Sequence, residues 1–284
     1  MRYDCIIIGS GPAGLSAAIN LKTYNKNFLW FGNANLSDKV EKAELVSNYP
    51  GLSNVTGKEL QAAFLKHKDD MELEIVDKIV STIYDMGGYY NVMAENQFFE
   101  TDSIILAVGV VAANQYQGEA EFIGRGVSYC ATCDGALYRD KKIAVIATAK
   151  RFEHEIDFLA DLAEKVYLFP FYKECEIEKE NVEFVKKAPK EIKGGFRANQ
   201  IVLGDETVLD VDGIFIMRSA IAPTTLLAKL EMEDGHIGVD RHMQTNVKGV
   251  FAAGDCTGKP YQYTKAVGEG NIAAHSVIEY LGGK

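Results

Sequence analysis

The chain has 284 residues, enough for two domains at roughly 100 to 200 residues each. Its hydrophobic fraction of 47% and charged fraction of 25% are typical of a folded globular protein. The net charge of −10 argues against nucleic acid as a partner, because phosphate binding requires clustered Lys and Arg. The apolar runs are too short to span a bilayer and the N-terminus lacks the pattern of a signal peptide, so we expect a cytoplasmic protein without a membrane partner.

The N-terminal segment has the element order of a dinucleotide-binding unit. An apolar run, CIII, predicts a buried strand, the turn GSGPAG at residues 9–14 leads into an Ala-rich helix, and KNFLWFG predicts a second strand. In such a turn the first glycine permits the tight bend, the second lets a pyrophosphate approach the backbone, and the third allows close helix packing. The turn therefore predicts a dinucleotide site. The acidic residue expected after the second strand is absent, since Gly32 and Asn33 occupy that place.

The later elements indicate a second copy of the same architecture. The run TDSIILAVG predicts a buried strand ending at Gly109, VKGVFAAGD another ending at Gly254 and Asp255, and the last segment a helix. Between them, KKIAVIATAKRFEHEIDFLADLAEKVYLFPF repeats the order strand, turn, helix, strand. We therefore predict an α/β fold of two Rossmann-like, three-layer domains, the second inserted in the first. The predicted bounds are 1–113 with 244–284 for the first domain and 114–243 for the second.

Five cysteines in a long chain do not suggest a secreted disulfide framework. Cys5 lies in an apolar strand and Cys175 in a charged segment, and we expect no chemistry of either. Cys130 and Cys133 differ from Cys5 and Cys175, because they form a CxxC motif that is followed by Asp134. This pair has three interpretations: a metal half-site, an incidental pair or a redox dithiol. Zinc is disfavoured because a second CxxC and a histidine pair are absent from the sequence, so we predict no metal. A redox dithiol is favoured because Asp134 can donate and accept protons beside the cysteines.

The motifs together resemble one family. The segments GSGPAGLSAA, NYPGL, GRGVSYCATCDGALY, MQTNVKGVFAAGD and YQYTKAVGEGNIAAHS are similar to those of the low-molecular-weight thioredoxin reductases, FAD enzymes with a CATC dithiol. The similarity runs nearly from end to end. It implies an FAD domain built from both ends of the chain, with the dithiol on the inserted domain, and a homodimer that reduces thioredoxin.

The resemblance also implies residue roles. Cys133 would meet the flavin, Cys130 would attack the disulfide of thioredoxin, and Asp134 would donate and accept protons. The implied FAD-binding residues are Gly9, Ser10, Gly11, Pro12, Ala13, Gly14, Asn48, Gly109, Gly254, Asp255, Gln262 and Tyr263.

Two positions depart from the family near the predicted flavin site. Tyr261 replaces an arginine before the last helix, and Cys256 replaces a small aliphatic residue. A third thiol near a flavin could be redox-active, but a buried cysteine also serves as a small hydrophobe, and we favour the second interpretation.

A further departure concerns the electron donor. Ala147, Ala149 and Phe152 stand where the family has the glycines and alanine that seat NADPH, and LFPFYKE replaces its arginine cluster. Each Cβ obstructs the approach of a pyrophosphate to the backbone. The sequence is similar in this respect to the ferredoxin-dependent flavin thioredoxin reductases, and we predict reduced ferredoxin as the donor.

Other interpretations remain open. They are a divergent NADPH site that uses Lys150 and Arg151, a dithiol oxidase that uses oxygen, a non-catalytic FAD protein, and deazaflavin as donor. Because ferredoxins are usually acidic, we expect docking on basic patches. We also expect the inserted domain to rotate on hinges near residues 113–116 and 241–246. The candidate docking lysines and arginine are Lys141, Lys142, Lys150 and Arg151, or Lys186, Lys187, Lys190 and Lys193.

Overall fold

The computed structural model describes residues 1–95, 97–109, 116–129, 131–218 and 223–283. Contacts within the chain group it into two compact units, Met1–Val111 with Ala222–Lys284 and Ala112–Ile221. The second unit is inserted in the first, as the order of the motifs predicts. In the part of the chain that the structure describes, no helix combines the length and apolarity needed to span a membrane.

The elements are numbered in chain order. The strands are β1 (Arg2–Tyr3), β2 (Cys5–Ile8), β3 (Phe28–Phe31), β4 (Val80–Asp85), β5 (Tyr90–Ala94), β6 (Gln97–Thr101), β7 (Ile104–Leu106), β8 (Val127–Ser128), β9 (Lys142–Ala147), β10 (Lys165–Pro170), β11 (Val182–Phe184), β12 (Pro189–Gly194), β13 (Ala198–Leu203), β14 (Val208–Asp210), β15 (Gly213–Met217), β16 (Met232–Glu233), β17 (His236–Ile237) and β18 (Val250–Ala252). The helices are α1 (Pro12–Thr23), α2 (Asp38–Glu41), α3 (Gly57–Asp70), α4 (Glu119–Phe122), α5 (Ala131–Asp134), α6 (Glu153–Leu162), α7 (Pro223–Leu226) and α8 (Tyr263–Gly282), with 3-10 turns at Gly135–Tyr138, Lys150–Phe152 and Asp255–Thr257.

The first unit is built on a parallel sheet in the order β18-β7-β2-β3. All residues of β2 and β7 are buried, as expected of central strands covered on both faces. Glycines allow close packing here: a Cβ at Gly14 of α1 would lie 1.9 Å from the carbonyl oxygen of Gly9 in the preceding turn, and a Cβ at Gly270 of α8 would lie 2.2 Å from that of Ala13 in α1. Helices α1 and α8 therefore pack tightly beside the turn that follows β2. A second sheet, β1-β6-β5-β4, belongs to the same unit.

The inserted unit repeats the parallel architecture. Its main sheet has the order β11-β10-β9-β15-β8, with all neighbours parallel, and α6 connects β9 to β10. Strand β15 is buried throughout, and β9 is buried except at its first residue. A smaller antiparallel sheet, β12-β13-β14, completes the unit. The predicted strand, turn, helix and strand are thus all present, and the prediction of two α/β domains is confirmed.

The second boundary between the units differs from the prediction. Residues 223–243 pack with the first unit rather than with the inserted one, because Val239 and Met243 join its hydrophobic core. The backbone N–H of Ala252 donates to the Met243 carbonyl at 3.0 Å, which ties this segment to β18. The segment 241–246, predicted as a hinge, therefore lies inside the first unit. Of the other predicted hinge, residues 113–115 lie outside the described residues.

Candidate functional site

The turn between β2 and α1 presents free backbone N–H groups to an open space. Gly9 has a φ of +113° and a Cβ there would lie 2.2 Å from the Ala107 carbonyl oxygen, so only glycine fits this bend. A Cβ at Gly11, in contrast, would meet nothing within 4 Å. Gly11 caps α1 without a side-chain hydrogen bond, which leaves the first N–H groups of the helix available. A phosphate could therefore approach the backbone at Gly11.

Both ends of the chain contribute to one pocket beside this turn. Helix α8 begins at Tyr263, with Gln262 as its N-cap, so a second helix N-terminus opens to the same pocket. Two positive helix ends favour an anionic ligand such as a diphosphate. The predicted residues that line the pocket are Gly11, Pro12, Ala13, Gly109, Gly254, Asp255, Gln262 and Tyr263.

Two other predicted residues contribute in different ways. The Asn48 side-chain N–H donates to the Gln262 side-chain oxygen at 2.7 Å, so the structure brings these distant residues together. Ser10 is buried, and its hydroxyl accepts from the Asn33 N–H at 2.8 Å and donates to the Leu36 carbonyl at 3.1 Å. The Ser10 hydroxyl therefore fixes the turn to the end of β3, and the prediction that Ser10 is a cofactor-binding residue stays a prediction.

A hydrogen-bonded ion pair on α8 holds the turn at Gly254. The Glu269 carboxylate accepts from the Gly254 N–H at 2.9 Å and from the Thr257 hydroxyl at 2.8 Å. The Lys265 ammonium lies 3.0 Å from the same carboxylate and donates to the Gly254 and Gly258 carbonyls, both at 2.8 Å. Each side chain of the pair is only 16% exposed. The first turns of α8 thus fix the loop that lines the pocket.

The two positions that depart from the family have structural explanations. Cys256 is buried, its thiol points at the Leu106 and Ala253 carbonyls, and burial raises its pKa to about 12. Such a thiol is a packing residue rather than a redox group. The Tyr261 hydroxyl lies 2.7 Å from His236 Nε2, so this tyrosine is held by a hydrogen bond within the first unit.

One residue of the predicted dithiol, Cys133, lies in a short helix after strand β8 of the inserted sheet. Cys133 belongs to the one-turn helix α5, which begins three residues after the end of β8, whereas Cys130 lies outside the described residues. Asp134 ends α5, and its carboxylate accepts from the Ser128 hydroxyl at 2.6 Å. The predicted proton donor and acceptor is therefore held beside the segment that carries both cysteines. No group of three or more His, Cys, Asp or Glu in the described ranges could hold a metal ion.

The turn after β9 differs from the turn after β2 in both shape and charge. Ala147 and Phe152 are buried, and the Arg151 guanidinium lies 5.0 Å from the centre of the Phe152 ring. Lys150 forms an ion pair with Glu176 at 2.5 Å. This bond to Glu176 raises the pKa of Lys150.

Carboxylates surround the start of α6. The backbone N–H of Glu176 donates to the Glu153 carboxylate at 3.1 Å. Partial burial opposes ionisation of Glu153, but hydrogen bonds from Glu176 and Tyr172 outweigh it and lower the pKa of this carboxyl. Glu153 and Glu155 lie in the first turn of α6. Negative charge therefore occupies the place where a nucleotide phosphate would bind.

A family model described as pyridine nucleotide-disulphide oxidoreductase matches residues 3–149 and 171–270. The chain belongs to this family. Its thioredoxin reductase members are FAD flavoproteins, which confirms the predicted cofactor and the predicted resemblance. The match skips residues 150–170, the segment that begins with the altered turn of the inserted unit.

Several thioredoxin reductases are similar over nearly their full length. The thioredoxin reductase of Bacillus subtilis strain 168 is 31% identical over 98% of this chain and 95% of its own. A crystal structure of a ferredoxin-flavin thioredoxin reductase from Clostridium acetobutylicum is 45% identical, with a TM-score of 0.90, and the match covers 100% of this chain and 99% of that one. A second structure of such a reductase from the same organism is 42% identical, with a TM-score of 0.92 over 100% and 98% of the two chains.

Sequence reasoning missed several residues of this oxidoreductase. Lys39 lines the pocket, and the Lys265–Glu269 pair holds the loop at Gly254. The spacing of Lys265 and Glu269 on one helix was the available signal, because residues four apart are neighbours on a helix face. Their bonds to the loop could not be read from that spacing.

Proposed function

We propose that this protein reduces the disulfide of thioredoxin through FAD and the Cys130–Cys133 pair, and that it takes electrons from reduced ferredoxin rather than from NADPH. The proposal is carried by one contrast. The turn after β2 leaves open space at Gly11, whereas the corresponding turn after β9 is filled by Phe152 and bordered by carboxylates.

The residues of the first unit fit FAD. The open space at Gly11 and the N-terminus of α1 would receive the pyrophosphate, and Gly254 and Asp255 would lie along the linking chain. The N-terminus of α8, at Gln262 and Tyr263, would favour negative charge on the ring system. When bound there, FAD supplies the conversion of single electrons from ferredoxin into the pair that a disulfide requires.

The residues of the inserted unit would carry the thiol chemistry. Reduction of the Cys130–Cys133 disulfide takes up two electrons and two protons. The Cys130 thiolate would then attack the thioredoxin disulfide and form a mixed disulfide, which Cys133 would resolve with release of reduced thioredoxin. Asp134, held by Ser128 at 2.6 Å, would give and take the proton of the neighbouring thiol.

The charges at the turn after β9 disfavour NADPH as the electron donor. Lys150 and Arg151 are the cations that a divergent site would use. Lys150 is paired with Glu176, and the Arg151 guanidinium packs over the Phe152 ring. A nucleotide diphosphate would have to displace the Lys150–Glu176 pair and would face Glu153, a like-charge contact that costs binding energy. The similarity to a reductase named for ferredoxin and flavin supports the same choice of donor.

An anaerobic reduction assay tests the choice of donor. We expect the flavin absorbance of the FAD-loaded protein to bleach with reduced ferredoxin, followed by reduction of thioredoxin, and to persist with NADPH or NADH. Rapid bleaching by NADPH would overturn the ferredoxin assignment. Oxygen consumption with small dithiols and no turnover of thioredoxin would instead identify a dithiol oxidase.

The proposal includes a homodimer, which the family resemblance implies, and a cytoplasmic location, which the short apolar runs and the N-terminal pattern predict. Light scattering during size-exclusion chromatography would test the first, since the chain mass is 31.3 kDa. A mass near that of a single chain would contradict the dimer.

A further inference from the structure

The inserted unit contains a fully buried carboxylate for which the proposed chemistry has no role. Glu119 is 0% exposed, and one of its oxygens accepts from the Arg218 guanidinium at 2.7 Å and from the Tyr116 N–H at 2.9 Å. The other oxygen accepts from the Tyr129 hydroxyl at 2.5 Å. A buried charge is tolerated only when it is paired and hydrogen-bonded, and these three donors meet that requirement.

Sheet topology explains why these residues meet. Strands β8 and β15 are parallel neighbours, with Phe215 opposite Ser128. Tyr129 follows β8 and Arg218 follows the last residue of β15, so both emerge at the same edge of the sheet. The Arg218 guanidinium lies 5.7 Å from the centre of the Tyr129 ring. Tyr129 is therefore held at its hydroxyl by Glu119 and at its ring by Arg218.

Tyr129 directly precedes Cys130 in the chain. The residue before it, Ser128, is bonded to Asp134, which follows Cys133. The chain is thus held at Ser128 and Tyr129, before Cys130, and at Asp134, after Cys133. We propose that Glu119 and Arg218, acting through Tyr129, are positioning residues that keep the two cysteine sulfurs in reach of each other. The inference rests on the proposed role of Cys130 and Cys133 as the redox pair.

The expected consequence is thermodynamic. When oxidised dithiothreitol takes two electrons and two protons from the protein dithiol, the Cys130–Cys133 bond forms and the reagent's disulfide is reduced to a dithiol. When the residues that flank the two cysteines are held in place, closing this bond costs less conformational freedom, so the equilibrium constant for closure is larger. Loosening the segment should lower that constant and make the disulfide easier to reduce.

The test uses Tyr129→Phe, which removes one hydroxyl and keeps the ring, in the full FAD-loaded protein. The protein is equilibrated with mixtures of oxidised and reduced dithiothreitol, free thiols are trapped, and the peptide with Cys130 and Cys133 is quantified by mass spectrometry. We expect the equilibrium constant for closure to fall roughly fivefold. The matched control is Tyr167→Phe, since Tyr167 lies in β10 of the same unit beside Lys165, and we expect no change there.

A second variant distinguishes the loss of this contact from a general loss of structure. Glu119→Gln should lower the same constant, and the double variant with Tyr129→Phe should fall by less than the sum of the two single effects, because the contact between Tyr129 and Glu119 is common to both. A lower melting temperature with an unchanged constant in Tyr129→Phe would show a purely structural role and overturn the inference. If the unmodified protein formed no Cys130–Cys133 disulfide in this titration, the proposed function itself would fail.

Discussion

At the residue scale, Gly11 and Gly14 of the GSGPAG motif have different roles. Gly14 lies inside α1, where a Cβ would collide with the Gly9 carbonyl oxygen, while a Cβ at Gly11 would point into open space. Gly11 also has a φ of −72°, which any residue adopts. Folding therefore requires the glycine at Gly14, whereas at Gly11 only the proposed binding of FAD would require one.

Alanine at each glycine separates the two requirements. We expect Gly11→Ala to leave the stability of the FAD-free protein unchanged or raise it by up to ~1 kcal/mol, and to weaken FAD binding at least about tenfold, or ~1.4 kcal/mol. Gly14→Ala should destabilise the FAD-free protein by about 1 to 3 kcal/mol through overpacking. Thermal unfolding and flavin titration measure both effects. Equal FAD affinity of Gly11→Ala and the parent protein would show that the open space is not the pyrophosphate site.

Burial of Cys256 predicts its reactivity with pH. Because the reactive form is the thiolate and the pKa is raised to about 12, the thiolate fraction at pH 8 is about one in ten thousand. We expect its alkylation by iodoacetamide to rise about tenfold per pH unit between pH 8 and 10, and to be slower throughout than that of the partly exposed Cys175. Peptide mass spectrometry resolves the two sites. Labelling of Cys256 as fast as Cys175 at pH 8 would contradict its burial.

At the element scale, α8 does more than cover the sheet. Its first turns supply the Lys265–Glu269 pair that fixes the Gly254 loop, as well as a helix N-terminus at the pocket. Loss of the Glu269 carboxylate would leave the Gly254 N–H and the Lys265 ammonium without this acceptor.

Glu269→Ala tests this role of α8. We expect a loss of about 2 to 3 kcal/mol in the free energy of unfolding, because partly buried donors lose their charged partner, together with weaker FAD retention. The matched control is Glu279→Ala on an exposed site of the same helix, which should change stability by less than about 0.5 kcal/mol. Denaturant unfolding and desalting of the loaded proteins measure the two quantities. Identical behaviour of the two variants would argue against the loop contact as a determinant of the site.

Elements encoded by local pattern were predictable, and networks between distant residues were not. The units β2-α1-β3 and β9-α6-β10 follow from apolar runs and a turn that lie next to each other in the sequence. The Glu119–Arg218 pair joins residues 99 positions apart, and no spacing rule connects them. Met243 packs in the core of the first unit, and this packing moves the second boundary. It is also a tertiary contact, and the polar residues around Met243 in the sequence do not indicate it.

At the scale of the whole molecule, the distribution of charge bears on how ferredoxin would dock. Three of the four lysines of the predicted basic run are compensated locally: Lys187 pairs with Asp205, Lys190 with Glu206 at 2.5 Å and Lys193 with Glu191 at 3.1 Å. With a net charge of −10, the protein offers an acidic partner little long-range attraction through these residues.

Salt dependence of the reduction rate tests this view. We expect the second-order rate of flavin reduction by ferredoxin to change less than about threefold between low and high salt, because steering requires uncompensated opposite charge. The double variant Lys187→Glu with Lys190→Glu should alter the rate by less than about twofold. The reciprocal control is the double variant Asp205→Asn with Glu206→Gln, which removes the acidic partners of the same two lysines. A steep fall of the rate with salt, abolished by the lysine reversal, would instead mean that these ion pairs open when ferredoxin docks. The lysine run would then be the docking surface despite its neutral appearance in the isolated protein.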